Sequence, residues 1–319
     1  MDRTVRLAWF TIGWNLVTIL LGALVRATHS GAGCGRSWPV CQGQLLPELA
    51  SLRGLGPTAI EFTHRSASGV ALVLVGLLVV ATHRRPHVPR GALIAARVAG
   101  LAIVGEALIG ALIVLFEWVA DDASLARAIS VPLHLVNTLL LLAALTFTVW
   151  FLSEAGEPEH LMVRGRAARW LTAGGLALAA IAASGAVTAL ADTLFPSESL
   201  VVGLAADFAS TEHFLTRLRI VHPLLAILTV SAALVAVRSR GLPRFATARH
   251  LVVLTGIQVL LGIGNVVMGT PLWLRQLHLL VANLIWVSYV WLAAQVLSSS
   301  SESRADESTG ARQVKPVQR

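Results

Sequence analysis

Eight runs of apolar residues divide this chain, each close to the roughly 20 residues that cross a bilayer as a helix. They lie at about Leu7–Ala27, Ile60–Thr82, Ala92–Phe116, Val131–Leu152, Trp170–Ala191, Leu218–Val237, Leu251–Gly269 and Leu277–Leu297. In lipid, every backbone N–H and C=O has to be satisfied within the protein, so runs of this length are helices. The chain therefore reads as an all-α integral membrane protein with eight transmembrane helices. Composition agrees: of 319 residues, 55% are apolar and only 13% charged, outside the range of ordinary soluble domains. The net charge of +8 is carried almost wholly by arginine, in short segments between the runs. No hydrophilic stretch is long enough for a nucleic-acid-binding fold, so nucleic acid is not an expected partner.

The connecting segments alternate in charge. HRRPHVPR (His83–Arg90), VRGRAAR (Val163–Arg169) and RSRGLPRFATAR (Arg238–Arg249) are basic, whereas EWVADDAS (Glu117–Ser124) and ADTLFPSES (Ala191–Ser199) are acidic or neutral. The positive-inside tendency then puts both termini in the cytoplasm. MDRTVR opens like a signal peptide, but no small-residue cleavage site follows, so the first run is expected to remain as a helix. Residues 299–319, rich in Ser, Glu and Arg, are expected to form a disordered cytoplasmic tail.

The two halves of the chain resemble each other. LLGALVRATHSGAGC at the end of run one matches AASGAVTALADTLFP at the end of run five. EALIGALIV from Glu106 matches QVLLGIGNVV from Gln258, and PLHLVNTLLLL in run four matches QLHLLVANLIW in run eight. The expected architecture is two pseudo-symmetric four-helix bundles, residues 1–152 and 170–298, joined by a cytoplasmic linker at 153–169. A parallel repeat of this kind relates its halves by an axis along the membrane normal. Small residues such as Gly174, Gly175, Gly262 and Gly264 suit close helix packing within one chain or in a homo-oligomer.

His64, His134, His222 and His278 stand near the outer starts of the even-numbered runs. A lone membrane histidine is more often a packing hydrogen-bonder than a ligand. Four at matched depth, paired by the repeat as His64 with His134 and His222 with His278, point instead to haem or metal. Facing imidazoles on neighbouring helices are how a bundle holds a haem iron by both axial positions. His83, His87, His160 and His250 fall in cytoplasmic segments, and His29 and His213 in or near outer loops.

Glu61 precedes His64 by one helical turn and shares its face, whereas the matching position before His222 is Arg219. A carboxylate in one half only suits proton delivery or the positioning of a substrate group. Its plain alternative is a surface pair with Arg65. Arg26, Arg65, Arg217 and Arg219, near the outer helix ends, suit haem propionates as bidentate partners or lipid headgroups by snorkelling. Glu106 reads as a neutral, hydrogen-bonded acid inside the bundle. Cys34 and Cys41 share the first outer loop, where an oxidising compartment favours a disulfide; thiol exchange is the alternative.

RATHSGAGCGRSWPVCQGQLLP, EFTHR, PLHLVN, IVHPLL and QLHLL together resemble the haem A synthase family of bacteria and mitochondria, over essentially all eight runs. EFTHR and the C-x6-C loop are the specific elements. The resemblance implies oxidation of the C8 methyl group of haem o to a formyl group, giving haem a for terminal oxidases. It implies a substrate haem in the first half, with Glu61, His64 and His134 at its active-site positions. It also implies a haem b cofactor in the second half with His222 and His278 as axial ligands, and a Cys34–Cys41 disulfide of the bacterial type. A second cysteine pair after run five, present in some relatives, is missing here. Implied partners are membrane lipid, the haem O synthase that supplies the substrate, and an unidentified electron-transfer partner. A cell-membrane location with the haem sites toward the outer face follows.

Two other classes compete. A dihaem membrane cytochrome b passing electrons from quinone accounts for the histidines but not for Glu61 or the cysteine loop. A repeat-built transporter predicts helices broken near the midplane, whereas here the polar groups gather at the outer ends.

Overall fold

The structure, a computed structural model, describes residues 2–48, 52–54, 56–153, 165–241 and 244–313. Among these residues there is no strand beyond one isolated bridge, Cys41 to Gln44. The helices are α1 (Arg3–Ala27), α2 (Pro57–Arg84), α3 (Arg90–Leu115), α4 (Leu125–Leu152), α5 (Arg166–Leu194), α6 (Leu200–Phe208), α7 (Phe214–Leu218), α8 (Val221–Arg240), α9 (Ala246–Val267) and α10 (Leu272–Gln313). Eight segments are long and apolar enough to cross a membrane, with α7 and α8 counting as one and α6 too short to count. The chain is a multi-pass, all-α membrane protein, and each expected run falls in its helix to within two residues.

Helix ends follow local chemistry. Pro57 opens α2 at the position where a missing N–H costs nothing. Ser124 caps α4, its hydroxyl accepting from the Arg127 amide at 3.2 Å. The sixth span breaks between Leu218 and Val221 because Pro223 has no N–H to donate to the Arg219 carbonyl one turn back. The Thr188 hydroxyl of α5 donates to that carbonyl instead, at 3.2 Å. At the other end of the chain, α10 is continuous to Gln313, through residues expected as a disordered tail. No proline interrupts that stretch, and extending a formed helix adds a hydrogen bond for each residue fixed. Residues 154–164 of the expected linker, His160 included, and 314–319 of the tail lie outside the described residues.

Packing differs between the halves. The main core joins α1 to α4, with Ala92, Ala99 and Ala102 of α3 letting its backbone approach its neighbours closely. Of the most apolar stretch of α4, 61% is buried, against none of the most apolar stretch in the span formed by α7 and α8. The seam between halves is α1 and α4 against α5 and α10, equivalent helices under the sequence repeat. Trp291 of α10 stacks on Trp9 at 5.8 Å and meets Trp150 edge-on at 5.1 Å. Trp286 donates its indole N–H to the Leu139 carbonyl of α4 at 2.8 Å. Trp286→Phe keeps the apolar contact and deletes that bond. It is expected to cost about 0.6–1.7 kcal/mol in detergent, read as a lower thermal midpoint with unchanged helix content.

Candidate functional site

The four histidines of the sequence repeat occupy equivalent settings. His64 lies against Gly22 of α1, where an added Cβ would come within 2.9 Å of the ring, and His222 lies against Gly185 of α5 at the same 2.9 Å. Each glycine thus opens the slot its imidazole fills. One turn before Gly185, the Ile181 carbonyl stands 3.0 Å from His222 Nδ1; the corresponding residue before Gly22 is Thr18, which lines the same cavity. The other pair is backed from the preceding span. His134 Nδ1 is 3.0 Å from Glu106 Oε2, off the hydrogen-bonding direction, and Gln258 Nε2 is 3.1 Å from His278 Nε2. Asn137 donates to Glu106 Oε1 at 2.6 Å, so the acid is hydrogen-bonded inside the bundle as expected.

His222 and His278 face each other across the second half, ring centres 6.3 Å apart and planes at 84°. A backbone carbonyl holding the other nitrogen, as Ile181 holds His222 Nδ1, is the usual support of a metal-binding imidazole. The Nδ1 atoms of His64 and His278 are buried without a hydrogen-bond partner. Among the described residues no group of three or more His, Cys, Asp or Glu side chains could hold a bare metal ion. Two imidazoles per half suit an iron that brings its own porphyrin nitrogens.

All four imidazoles, with Glu61, Glu106 and Gln258, line one cavity of about 3070 Å³ that passes between the halves. A single small-molecule pocket is about 300–1,000 Å³, so the space admits more than one large ligand. Its wall is mainly apolar, as a porphyrin face requires.

Glu61 is buried, 3% exposed, where this cavity meets the cysteine loop. It does pair with Arg65, but not at the surface. Arg65 Nε and Nη2 donate to Oε1 at 3.1 and 2.6 Å, and the Cys34 amide donates to Oε2 at 2.8 Å. Arg65 Nη1 also donates to the Ser37 and Val40 carbonyls, at 2.5 and 2.6 Å. Both carbonyls belong to the loop closed by the Cys34–Cys41 disulfide, which therefore clamps arginine and carboxylate together. Gly33 sits so tightly on the start of α2 that a Cβ would come within 2.4 Å of the Pro57 backbone.

The candidate arginines separate. Arg26, Arg65 and Arg219 line the cavity, and Arg217 does not. Arg219 donates to Asp207 at 2.8 Å and to Asp192 at 3.4 Å. The structure adds two cavity arginines that sequence reasoning missed, Arg127 and Arg275. For Arg275 a signal existed: it stands three residues before His278, as Glu61 and Arg219 stand before their histidines. His29 instead pairs with exposed Asp121 at 2.7 Å. His213 stacks on Phe195 and Phe214, and neither it nor His29 lines the cavity.

These features define a membrane protein with two pairs of imidazoles opening on a shared apolar cavity. Residues 5–52 and 56–290 match the COX15-CtaA family of cytochrome oxidase assembly proteins, and the chain belongs to that family, which includes the haem A synthases. It is 42% identical over 307 residues to a protein named protoheme IX farnesyltransferase from Thermus thermophilus, covering 94% of this chain and 50% of that protein. It is 35% identical to a heme A synthase of Lysinibacillus sphaericus over 176 residues, 54% of either chain. A heme A synthase of Bacillus mycoides is 37% identical over 134 residues, 42% of this chain and 41% of its own. The chain thus spans about half the length of these curated relatives.

Arg65→Gln leaves a carboxylate buried without its countercharge and frees two loop carbonyls. It is expected to destabilise the protein by about 3–5 kcal/mol. Adding Glu61→Gln should restore part of the loss. Thermal unfolding of the two single variants and the double variant in detergent measures both effects.

Proposed function

We propose that this chain is a haem A synthase, oxidising the C8 methyl group of haem o to the formyl group of haem a for terminal oxidases. The observation that carries the proposal is the buried Glu61, one turn outward of His64, with Arg219 in the equivalent place of the second half. An electron carrier needs no carboxylate one turn from its ligand histidine; conversion of a methyl group can use one. Two successive oxidations and a dehydration release protons at the substrate, and a fixed carboxylate can accept and place them.

In this reading residues 1–152 form the substrate half and residues 170–298 the cofactor half. His64 and His134 hold the iron of haem o, and the apolar wall takes the porphyrin and its farnesyl chain. Arg65 and the Cys34 amide keep the Glu61 carboxylate in place at the cavity's outer end. His222 and His278 hold a resident haem b, which supplies one-electron chemistry when bound. The imidazole settings and the orphaned ring nitrogens support a haem site in each half.

The basic segments around Arg84–Arg85 and Arg166–Arg169 support a cytoplasmic face at that end, with both termini there and the haem sites toward the outer face of the cell membrane. The Thermus relative carries the name of the enzyme class that farnesylates protohaem, and about half of it lies outside the match. That supports direct transfer of haem o from a haem O synthase to this chain.

Expression in a host that makes haem o but no haem a, followed by mass identification of the extracted haems, tests the reaction. Haem b together with haem a or its hydroxylated precursor is expected; haem b alone would favour the electron-transfer cytochrome. Glu61→Ala should retain bound haem o while haem a falls to background, and haem a at wild-type levels would remove Glu61 from the mechanism. His222→Ala should lose six-coordinate haem b from the purified protein while haem o still binds, as followed by visible spectra and pigment extraction.

A further inference from the structure

Two arginines of the cavity wall form no side-chain ion pair among the described residues. Arg26 sits on α1 one turn outward of Gly22, and Arg275 sits on α10 one turn outward of His278. They come from opposite sides of the seam, and both line the cavity. The Nε atom of each is buried with no hydrogen-bond partner. Arg275 Nη1 donates to the neutral Thr193 hydroxyl at 3.2 Å. A third cation, Arg127, lines the same cavity, as does the carboxylate of Asp192. Asp192 is already shared with Arg219, 3.4 Å away.

Cations held together in a poorly solvated place are unfavourable unless an anion joins them. A guanidinium presents a planar fork that matches a carboxylate. Position decides which carboxylate. Arg275 shares a helix face with His278, three residues on, whereas the residues one turn outward of His64 and His134 are Glu61 and Val131, neither of them a cation.

We propose that Arg26 and Arg275 form a carboxylate clamp across the seam for the propionates of the haem held by His222 and His278, with Arg127 adding positive charge. This rests on the haem reading above. The first half then contributes directly to retention of the second half's cofactor, and a separated second half would hold its haem poorly.

The test follows haem b in the full-length protein, expressed in cells that make haem b but no haem o and purified in detergent. Release to an excess of a haem-scavenging acceptor protein is timed spectroscopically. Arg26→Gln and Arg275→Gln should each release the low-spin haem roughly ten- to a hundredfold faster than wild type. Wild-type apoprotein loaded with protohaem dimethyl ester, which has no free carboxylate, should behave like the variants, and this arm needs no mutation. Equal release from wild type and both variants, with no preference for the free acid over the ester, overturns the clamp. A difference that vanishes when lipid is stripped and returns with anionic phospholipid assigns the arginines to a lipid phosphate and also overturns it. Wild-type protein that is folded but holds no haem removes the underlying haem reading, and that result is visible before any variant is made.

Discussion

A bilayer gives a buried polar or ionised group nothing to bond to, and the placement of polar side chains in this protein follows from that constraint. Backbone groups are answered by helices, and where Pro223 interrupts one, Thr188 supplies the missing donor. Ionisable side chains gather on the wall of one cavity. Several of them are paired: Glu61 with Arg65 and the disulfide loop, Arg219 with Asp192 and Asp207, Glu106 with Asn137.

The repeat supplies a common frame that the two halves then use differently. Glycines on α1 and α5 make room for His64 and His222, and the spans before α4 and α10 lend Glu106 and Gln258 to His134 and His278. One turn outward the symmetry ends. The first half has Glu61 clamped under a cross-linked loop, and the second has Arg219 and Arg275 at the corresponding positions before its histidines. Under the proposed reading, this difference beside the histidines is what separates a substrate half from a cofactor half. Packing diverges in the same sense. The first half has a continuous core, while α8 contributes no buried side chain among the described residues.

Much of this was legible in the order of residues alone. Helix count and span positions follow from run length, because the bilayer admits one solution for such runs. The histidine pairs and the Glu106–Gln258 correspondence followed from the repeat, since equivalent positions on equivalent helices reach equivalent depths. Glu61 and His64 share a face by helical spacing. Less accessible was the state of Glu61: spacing allowed a surface pair with Arg65, and only folding the cysteine loop over α2 buries the pair and adds the Cys34 amide. The same applies to the arginines, where position near a helix end does not say which side faces the cavity.

The sequence by itself determined the class, the eight spans, the repeat and the identity of the paired histidines, because each depends on periodicity and hydrophobicity along one chain. Tertiary structure decided which side chains meet across helices. It put Arg26 of the first half and Arg275 of the second on one cavity wall, set the His222 and His278 rings 6.3 Å apart, and merged both halves into one cavity. Those relations depend on how helices rotate and cross at the seam, a property of packed surfaces that no local stretch of sequence encodes.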